Sequence, residues 1–551
     1  MANARPATAS ITRRRAHADL PERVDVAIVG SGLGGLVAAA RLAQAGFSVA
    51  VFEAHYAAGG CATQFARGPR RAQYHFDVGL HYVGDCGPDG PIPRMLRDVG
   101  VHDVVFRPMD QDGFDRLVYP GLELRVPADL GRYRDRLVAL FPHERRAADR
   151  YVKLVASVMT AARAMERRGR PPVAELVPLA VAGLRLARFQ KSTMAEVLDA
   201  IGMRDPRARA VVLGQSGDYG LPPSKVSALL HMGLAGHYFR GAYYPEGGGQ
   251  VIADRLSARV EALGGSVHLR QPVERVLVEG GRAVGVRLQA RAGGPPRDVR
   301  ADLVISNADY KKTLLELVGP AHLPAELVTR TRSLEMAAAL FITFLGVEGP
   351  LEGMGAHNVW QFDSFDVERF YADDPSAPVA VGGCYVTSAS YKDPENALHH
   401  APAGITNVEV MTVVPGALER FGVREADVAT WAYRDSEAYA RTKARIEEEM
   451  VRRLDALFPG AAGRIVFRES ATPASHVRYT GAEGGTGYGL AATPSQFLRG
   501  RPGYRGPLPG LYFAGASTRA GHGIVGAMSS GAAAAAVVLS DRAGRGARAR
   551  R

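Results

Sequence analysis

Three cysteines in 551 residues, Cys61, Cys86 and Cys384, make neither a CxxC pair nor an even framework. A disulfide scaffold is thereby excluded, and a reducing compartment is implied. No apolar run approaches 18 residues, so the sequence predicts no bilayer-spanning helix. Arg13 and Arg14 open no export signal, because the next apolar stretch is itself a buried strand with no separate leader core before it. A cytoplasmic protein is the expectation. Lysine is scarce, seven of 68 basic residues, a bias of GC-rich bacterial genes. There is no Ser-His-Asp signature, zinc-ligand spacing, phosphate P-loop or internal repeat. His399 and His400 fall in an expected loop without metal partners, so no metal is expected.

What remains is a globular composition, 46% hydrophobic and 23% charged, long enough for two or three domains. Net charge is +12, but much of the excess sits at the ends: five Arg against two acids in residues 1–23, and five Arg against one acid in 541–551. Both stretches read as disordered basic tails. The body carries no basic, aromatic-interleaved module, so nucleic acid is excluded as a partner and an anionic membrane surface fits better.

The most informative stretch is RVDVAIVGSGLGGLVAAARLAQAGFSVAVFEAHYAAGG, residues 23–60. An apolar β-branched run over 24–29 predicts a strand buried on both faces, and a helix is expected over 33–45. Between them Gly30, Gly32 and Gly35 fit G-x-G-x-x-G. The first glycine allows the tight turn, the second lets backbone approach a pyrophosphate, and the third lets helix and strand pack closely. A second strand over 48–52 delivers Glu53, placed to accept from a ribose 2′-OH and to disfavour a 2′-phosphate. Gly59 and Gly60 then allow the chain to run beside an extended dinucleotide, which favours FAD over NAD.

Further along, the sequence predicts an FAD domain in three parts, 24–105, 241–309 and 491–540. A substrate domain is expected in two, 106–240, mostly helical, and 310–490, strand-rich. Within 106–240, LVPLAVAGL at 176–184 is an apolar run bordered by Arg185, Arg188 and Lys191. It is too short to span a bilayer and suits either one leaflet, with membrane contact over 173–191, or a core or lid helix. Near the end, a strand over 510–516, a glycine-spaced turn and a helix over 527–539 aim a helix N-terminus at the turn, where a dipole stabilises negative charge.

With GLYFAGASTRAGHGIVGAMSSG at 510–531 added to the fingerprint, the chain resembles the FAD-dependent phytoene desaturase, carotenoid cis-trans isomerase and retinol saturase group. FDVGLHYVG at 76–84, STMAEVLDAIG at 192–202, GHYFRGAYYPEGG at 236–248 and VISNAD at 304–309 are most similar to retinol saturase. The resemblance implies an α/β fold: a glutathione-reductase-type Rossmann FAD-binding domain with an inserted α+β substrate domain enclosing an apolar tunnel. It implies FAD along Gly30, Gly32, Leu33, Gly34, Gly35, Glu53, Ala54, Gly59, Gly60, Cys61, Ala62, Val273 and Asn307. Gly515, Ala516, Gly523, Val525, Gly526 and Ala527 would approach the flavin ring. Flavin amine oxidases usually carry an acid after the glycine of the last strand; here Ala516 follows Gly515, which lowers that alternative.

The expected reaction is saturation of one double bond of a long apolar polyene, with peripheral membrane association. A bacterial carotenoid or related product fits better than retinol. Dehydrogenation, redox-neutral isomerisation, amine oxidation and a non-enzymatic prenyl-lipid carrier like the Rab escort proteins are the alternatives. No second nucleotide fingerprint exists, so NAD(P)H or a quinone would act as a transient electron partner. For the proton, the candidates are His81, then Asp77, Tyr219 and His237.

Overall fold

The computed structural model describes residues 20–166, 172–290 and 294–549. Residues 1–19, most of the first basic tail, lie outside this set, as do Arg168 and Arg291, the far ends of two expected elements.

The first apolar run forms the strand Arg23–Val29, fully buried from Val26 to Ile28. It sits inside a seven-stranded sheet, parallel to Val49–Phe52 on one side and to Arg297–Ser306 on the other. Ser266–His268 extends the first flank. Besides Arg23–Val29, Arg297–Ser306 has two partners: its first half pairs antiparallel with Arg282–Leu288, its second half parallel with Leu511–Phe513. The sequence suggests a strand only from Asp302, because Arg297, Asp298, Arg300 and Asp302 break up the apolar run. In the structure those charges point out while Val299, Ala301 and Leu303 point in, the alternation of a strand wet on one face. Val273–Glu279 and Arg282–Leu288 form the expected hairpin.

A second seven-stranded sheet runs in the order Ile465–Ala471, Ala339–Glu348, Ile405–Val414, Gly383–Thr387, Asn358–Phe362, Asp115–Tyr119, Leu122–Val126. Its period-2 pattern sorts side chains to two cores. Phe341, Leu345, Val408 and Val410 pack with the helix Glu437–Leu457, while Ile342, Phe344, Trp360, Tyr385 and Met411 face the other way. The helix Arg145–Glu166, beside that second core, packs against both Val173–Ala187 and Ala228–Tyr238.

The closing helix, Gly523–Ala549, is longer at both ends than the sequence suggests and takes in the expected C-terminal tail as far as Ala549. Asp541 explains part of the extension, because it pairs with Arg505 at 2.7 Å and accepts from the Tyr512 hydroxyl at 3.0 Å. Its stretch Gly523–Gly544 is long and apolar enough to cross a bilayer, with mean hydropathy 1.7, contrary to the sequence expectation. Interspersed Gly and Ser hide the run from a search for unbroken apolar residues, while the many Ala keep its average high. The helix lies along the opening helix, Leu33–Gln44, as a core helix does.

That crossing depends on Gly531, where a Cβ would strike the Gly34 carbonyl and stand 3.1 Å from Ala38 N. Gly531→Val is expected to destabilise the protein by about 3 kcal/mol through overpacking. Gly544→Ala, at a site with open space around it, is expected to be neutral or to stabilise by up to about 1 kcal/mol. Chemical denaturation of the two variants checks this.

Candidate active site

The glycine turn leaves Gly30 at φ +89°, a conformation that L side chains rarely adopt. Gly32 caps the opening helix without any side-chain cap, and no acid occupies the first turn. The helix therefore presents N–H groups and a positive dipole end that suit a phosphate. A Cβ on Gly35 would strike the Gly30 carbonyl, so the third glycine does serve helix–strand contact. A Cβ on Gly34 would stand 2.8 Å from Ala527 O and 3.1 Å from Gly515 N, the two segments that return from the far end of the chain.

Glu53 ends the second strand. Its Oε2 accepts from Ser31 N and Ser31 Oγ, both at 2.7 Å, and its Oε1 from His55 N at 2.8 Å. One carboxylate thus pins the glycine turn and still faces the open cleft. Gly59 N donates to Ser31 O at 3.0 Å, tying the second glycine pair to the first turn. Asn307 N donates to Val29 O at 2.8 Å, while the buried Asn307 Oδ1 has no partner among the described residues. Beside the glycine turn Gly515 N donates to Ser530 Oγ at 2.6 Å, and Gly523, at φ +74°, opens the closing helix with no acid in its first turn. Ala516 follows Gly515 where flavin amine oxidases carry an acid, and its carbonyl, with those of Leu490 and Gln496, accepts from the buried Arg501 guanidinium. These groups fit FAD: helix N–H for the diphosphate, a carboxylate for the ribose, and bare backbone with a second helix N-terminus for the ring. Every expected cofactor residue lines the cleft except Gly35, which lies behind it.

The cleft continues into one cavity of about 1450 Å³. Ordinary ligand pockets hold roughly 300–1,000 Å³, so space remains for a long ligand beside a dinucleotide. The extension is walled by Val158, Met159 and Ala162 of Arg145–Glu166, by Leu229, Leu230 and Leu234 of Ala228–Tyr238, and by Ile342, Phe344, Met411 and Val413 of the second sheet.

Of the four proton candidates, His81 and His237 reach this cavity and Asp77 and Tyr219 do not. Asp77 is buried, accepting from Tyr244 Oη and from Gly249 N at 3.0 Å; it orders the junction between two loops. Tyr219 is buried in the core with its hydroxyl 3.0 Å from His231 Nδ1. His81 Nδ1 pairs with Glu409 Oε2 at 2.8 Å. His237 Nε2 accepts from Gly84 N at 2.9 Å, and burial lowers its pKa to about 4, so its ring is neutral.

Sequence reasoning stopped one residue away from another group. Asp218, in the short turn Ser216–Asp218, faces the cavity while its neighbour Tyr219 faces the core. Tyr82 Oη donates to Asp218 Oδ2 at 2.6 Å and lies 3.2 Å from Asp115 Oδ2. Burial raises both carboxyls, Asp115 to about 6 and Asp218 to about 8. Nothing in the local sequence marks Asp218, because its partners come from positions 82, 115 and 238.

The chain matches the flavin containing amine oxidoreductase family over residues 33–402 and 427–539. It is similar to all-trans-retinol 13,14-reductase of Homo sapiens, 29% identical over 90% of this chain and 82% of that protein, and to the Danio rerio enzyme of the same name, 28% identical over 85% and 78%. Prolycopene isomerase of Daucus carota is 25% identical over 94% of this chain and 80% of that protein. Among solved structures, cyclohexylamine oxidase from Brevibacterium oxydans aligns with TM-score 0.58 at 15% identity, covering 94% of this chain and 99% of that one. A putrescine oxidase bound to putrescine aligns with TM-score 0.58 at 18% identity, covering 94% and 99%. These two share the fold.

Glu53→Gln is expected to keep the fold and weaken FAD binding roughly 10–100-fold, since hydrogen bonds to a charged group contribute about 1.5–3 kcal/mol. Flavin titration of the deflavinated variant checks it. The fingerprint, the cradle and the match over most of its length place this chain in the flavin containing amine oxidoreductase family, as an FAD-dependent oxidoreductase.

Proposed function

We infer that the enzyme saturates one carbon–carbon double bond of a long, apolar polyene. The observation that carries this reading is the continuity of the flavin cradle with a cavity whose extension is walled by aliphatic and aromatic side chains. The retinol reductases and prolycopene isomerase that resemble the chain are named for polyene chemistry, and the reading follows the reductases.

When bound, FAD supplies two-electron chemistry, accepting or delivering a hydride. The chain does the rest. The apolar wall excludes water and holds an extended hydrocarbon against the ring end of the cleft, where Gly515, Gly523 and Gly526 leave room for a flat ring. Cavity groups then hold the proton that the second carbon needs. NAD(P)H or a quinone passing through is the proposed electron source. Anaerobic incubation of the holoenzyme with a polyene and dithionite or NADPH is expected to give a product heavier by two hydrogens. Loss of two hydrogens would make the enzyme a desaturase, and unchanged mass with altered geometry an isomerase. Oxygen-dependent peroxide formation from putrescine or cyclohexylamine would return it to amine oxidation, and a colourless protein unable to take up FAD would leave only lipid carriage.

Delivery of such a ligand explains an outward feature of the fold. The helix Val173–Ala187 presents Val173, Val177 and Leu184 to the outside, 83%, 70% and 78% exposed, with Leu176 and Val181 beside them. Arg185, Arg188 and Lys191 follow. Its other side packs on Arg145–Glu166, whose Val158, Met159 and Ala162 line the cavity. An apolar face with basic residues at its end suits the headgroup boundary of an anionic leaflet, from which a polyene would enter between these helices. Val177→Asp with Leu184→Asp is expected to reduce co-sedimentation with phosphatidylglycerol vesicles about tenfold or more while leaving flavin content unchanged.

A further inference from the structure

Among the polar groups on the cavity wall, one cluster is built around two carboxyls, Asp115 and Asp218. Asp115 is buried on the second sheet and receives Gln215 Nε2 at 2.6 Å and Asn358 Nδ2 at 3.0 Å. With Tyr82 as a third donor, it is well suited to hold negative charge. Asp218 is placed differently. Its side-chain donors are two phenols, Tyr82 and Tyr238, whose rings stack at 4.4 Å. Tyr82 has a single proton and reaches both carboxyls, so it cannot donate fully to both. Two carboxylates joined through one phenol in a low-dielectric wall do not both ionise, and the one with fewer donors keeps the proton.

Position matters as much as protonation. Asp218 stands at the ring end of the cleft: its backbone bonds the ring of His522, the residue before Gly523, which opens the closing helix. Tyr488 Oη donates to the carbonyl of the adjacent Gly217 at 2.6 Å, and Tyr488 packs edge-on to His522. Asp218 is half-buried, and it lines the cavity.

We propose that Asp218 is the proton donor of this site, a neutral carboxyl on the cavity wall that delivers its proton to the substrate carbon beside the one receiving hydride, with Tyr82 returning the next proton. This rests on the polyene-saturating reading above. In the step, the Asp218 O–H bond breaks and a C–H bond forms. A two-electron-reduced flavin held in the cradle would supply the hydride that balances this proton, so that the alkene gains two hydrogens. The carboxylate left behind recovers a proton through the Tyr82 hydroxyl, with water as the final source once product leaves.

The charged and titratable groups around Asp218 agree with this. Asp115 and the Tyr82, Tyr219, Tyr238, Tyr371, Tyr385 and Tyr488 phenols lie within its electrostatic reach, and burial holds every one of those phenols un-ionised. His522 is kept neutral, lowered to about 3 by burial. Lys392 Nζ reaches Asn358 Oδ1 at 3.3 Å, on the Asp115 side, and Arg501 acts on His522. Asp218, raised to about 8 chiefly by burial, therefore carries its proton at neutral pH and loses it as pH rises through about 8.

The test uses the flavin-loaded full chain, wild type and Asp218→Asn. Infrared difference spectra across pH 6 to 10 are expected to show a protonated carboxyl C=O band that disappears around pH 8 in wild type and is missing in the variant. With dithionite-reduced enzyme and all-trans-retinol as the probe, Asp218→Asn is expected to retain bound flavin and lose about 10²-fold or more of the saturation rate. Tyr82→Phe is expected to keep its first turnover and slow later ones about tenfold, a burst that a purely structural role would not produce. The same band in Asp218→Asn, or no band in wild type, overturns the proposal. So does an active wild type beside an equally active Asp218→Asn with His81→Ala inactive, which would hand the role to His81. A wild type that leaves retinol and other polyenes at unchanged mass sinks the functional reading instead, whatever the infrared band shows.

Discussion

Backbone that must come close to a diphosphate governs the rest of this molecule. Unpaired N–H groups at the start of Leu33–Gln44 suit an anion only if nothing bulky stands in front of them, so Gly32 and Gly34 carry no side chain there. The same bareness lets the closing helix cross at Gly531, directly over Gly34. One crossing therefore ties together two turns of the cleft: the glycine turn before the opening helix and the turn around Gly523 that opens the closing one. Close packing transmits position without slack, so a shift at Gly531 reaches the ring end as well as the phosphate end.

How far this was legible in the sequence depends on whether a residue's role is local. Gly30, Gly32 and Gly35 answer to a turn of six residues, and Glu53 to a strand end eighteen residues later, so spacing alone placed them. The four candidates for the proton show the opposite case. Asp77 and Tyr219 are polar residues in suggestive surroundings, but Gly249 and Tyr244 claim the first and His231 the second, partners distant in the chain for Asp77 and on a separate helix for Tyr219. Asp218 escaped notice because a single step around the turn Ser216–Asp218 exchanges core for cavity, and no periodicity predicts where a short 3₁₀ turn points. The closing helix failed for a third reason. Its apolar character is spread over alanine and glycine rather than concentrated in bulky residues, so it has the average of a membrane span without looking like one.

Two carboxyls inside an apolar wall are costly, and the structure shows how the cost is met. Asp115 is given three donors, enough to keep charge out of water. Asp218 is instead left to neutralise, which removes most of its desolvation penalty and turns it into a hydrogen donor. A protein concerned only with stability would place leucine or phenylalanine at these positions. Retaining a raised carboxyl in a cavity beside a cofactor cradle is the pattern of a site tuned for acid–base work.

The same fold at 15–18% identity carries oxidases named for cyclohexylamine and putrescine, so architecture alone does not choose the reaction. The ligand's charge does. A protonated amine entering this cavity would favour the ionised form of Asp218, and the carboxylate would then be an anchor with no proton to offer. A hydrocarbon leaves the dielectric low and the carboxyl neutral, so the same atoms are a donor. The aliphatic walls from Arg145–Glu166 and Ala228–Tyr238 and the raised carboxyl are in this sense one feature, because each suits a ligand that brings no positive charge to Asp218.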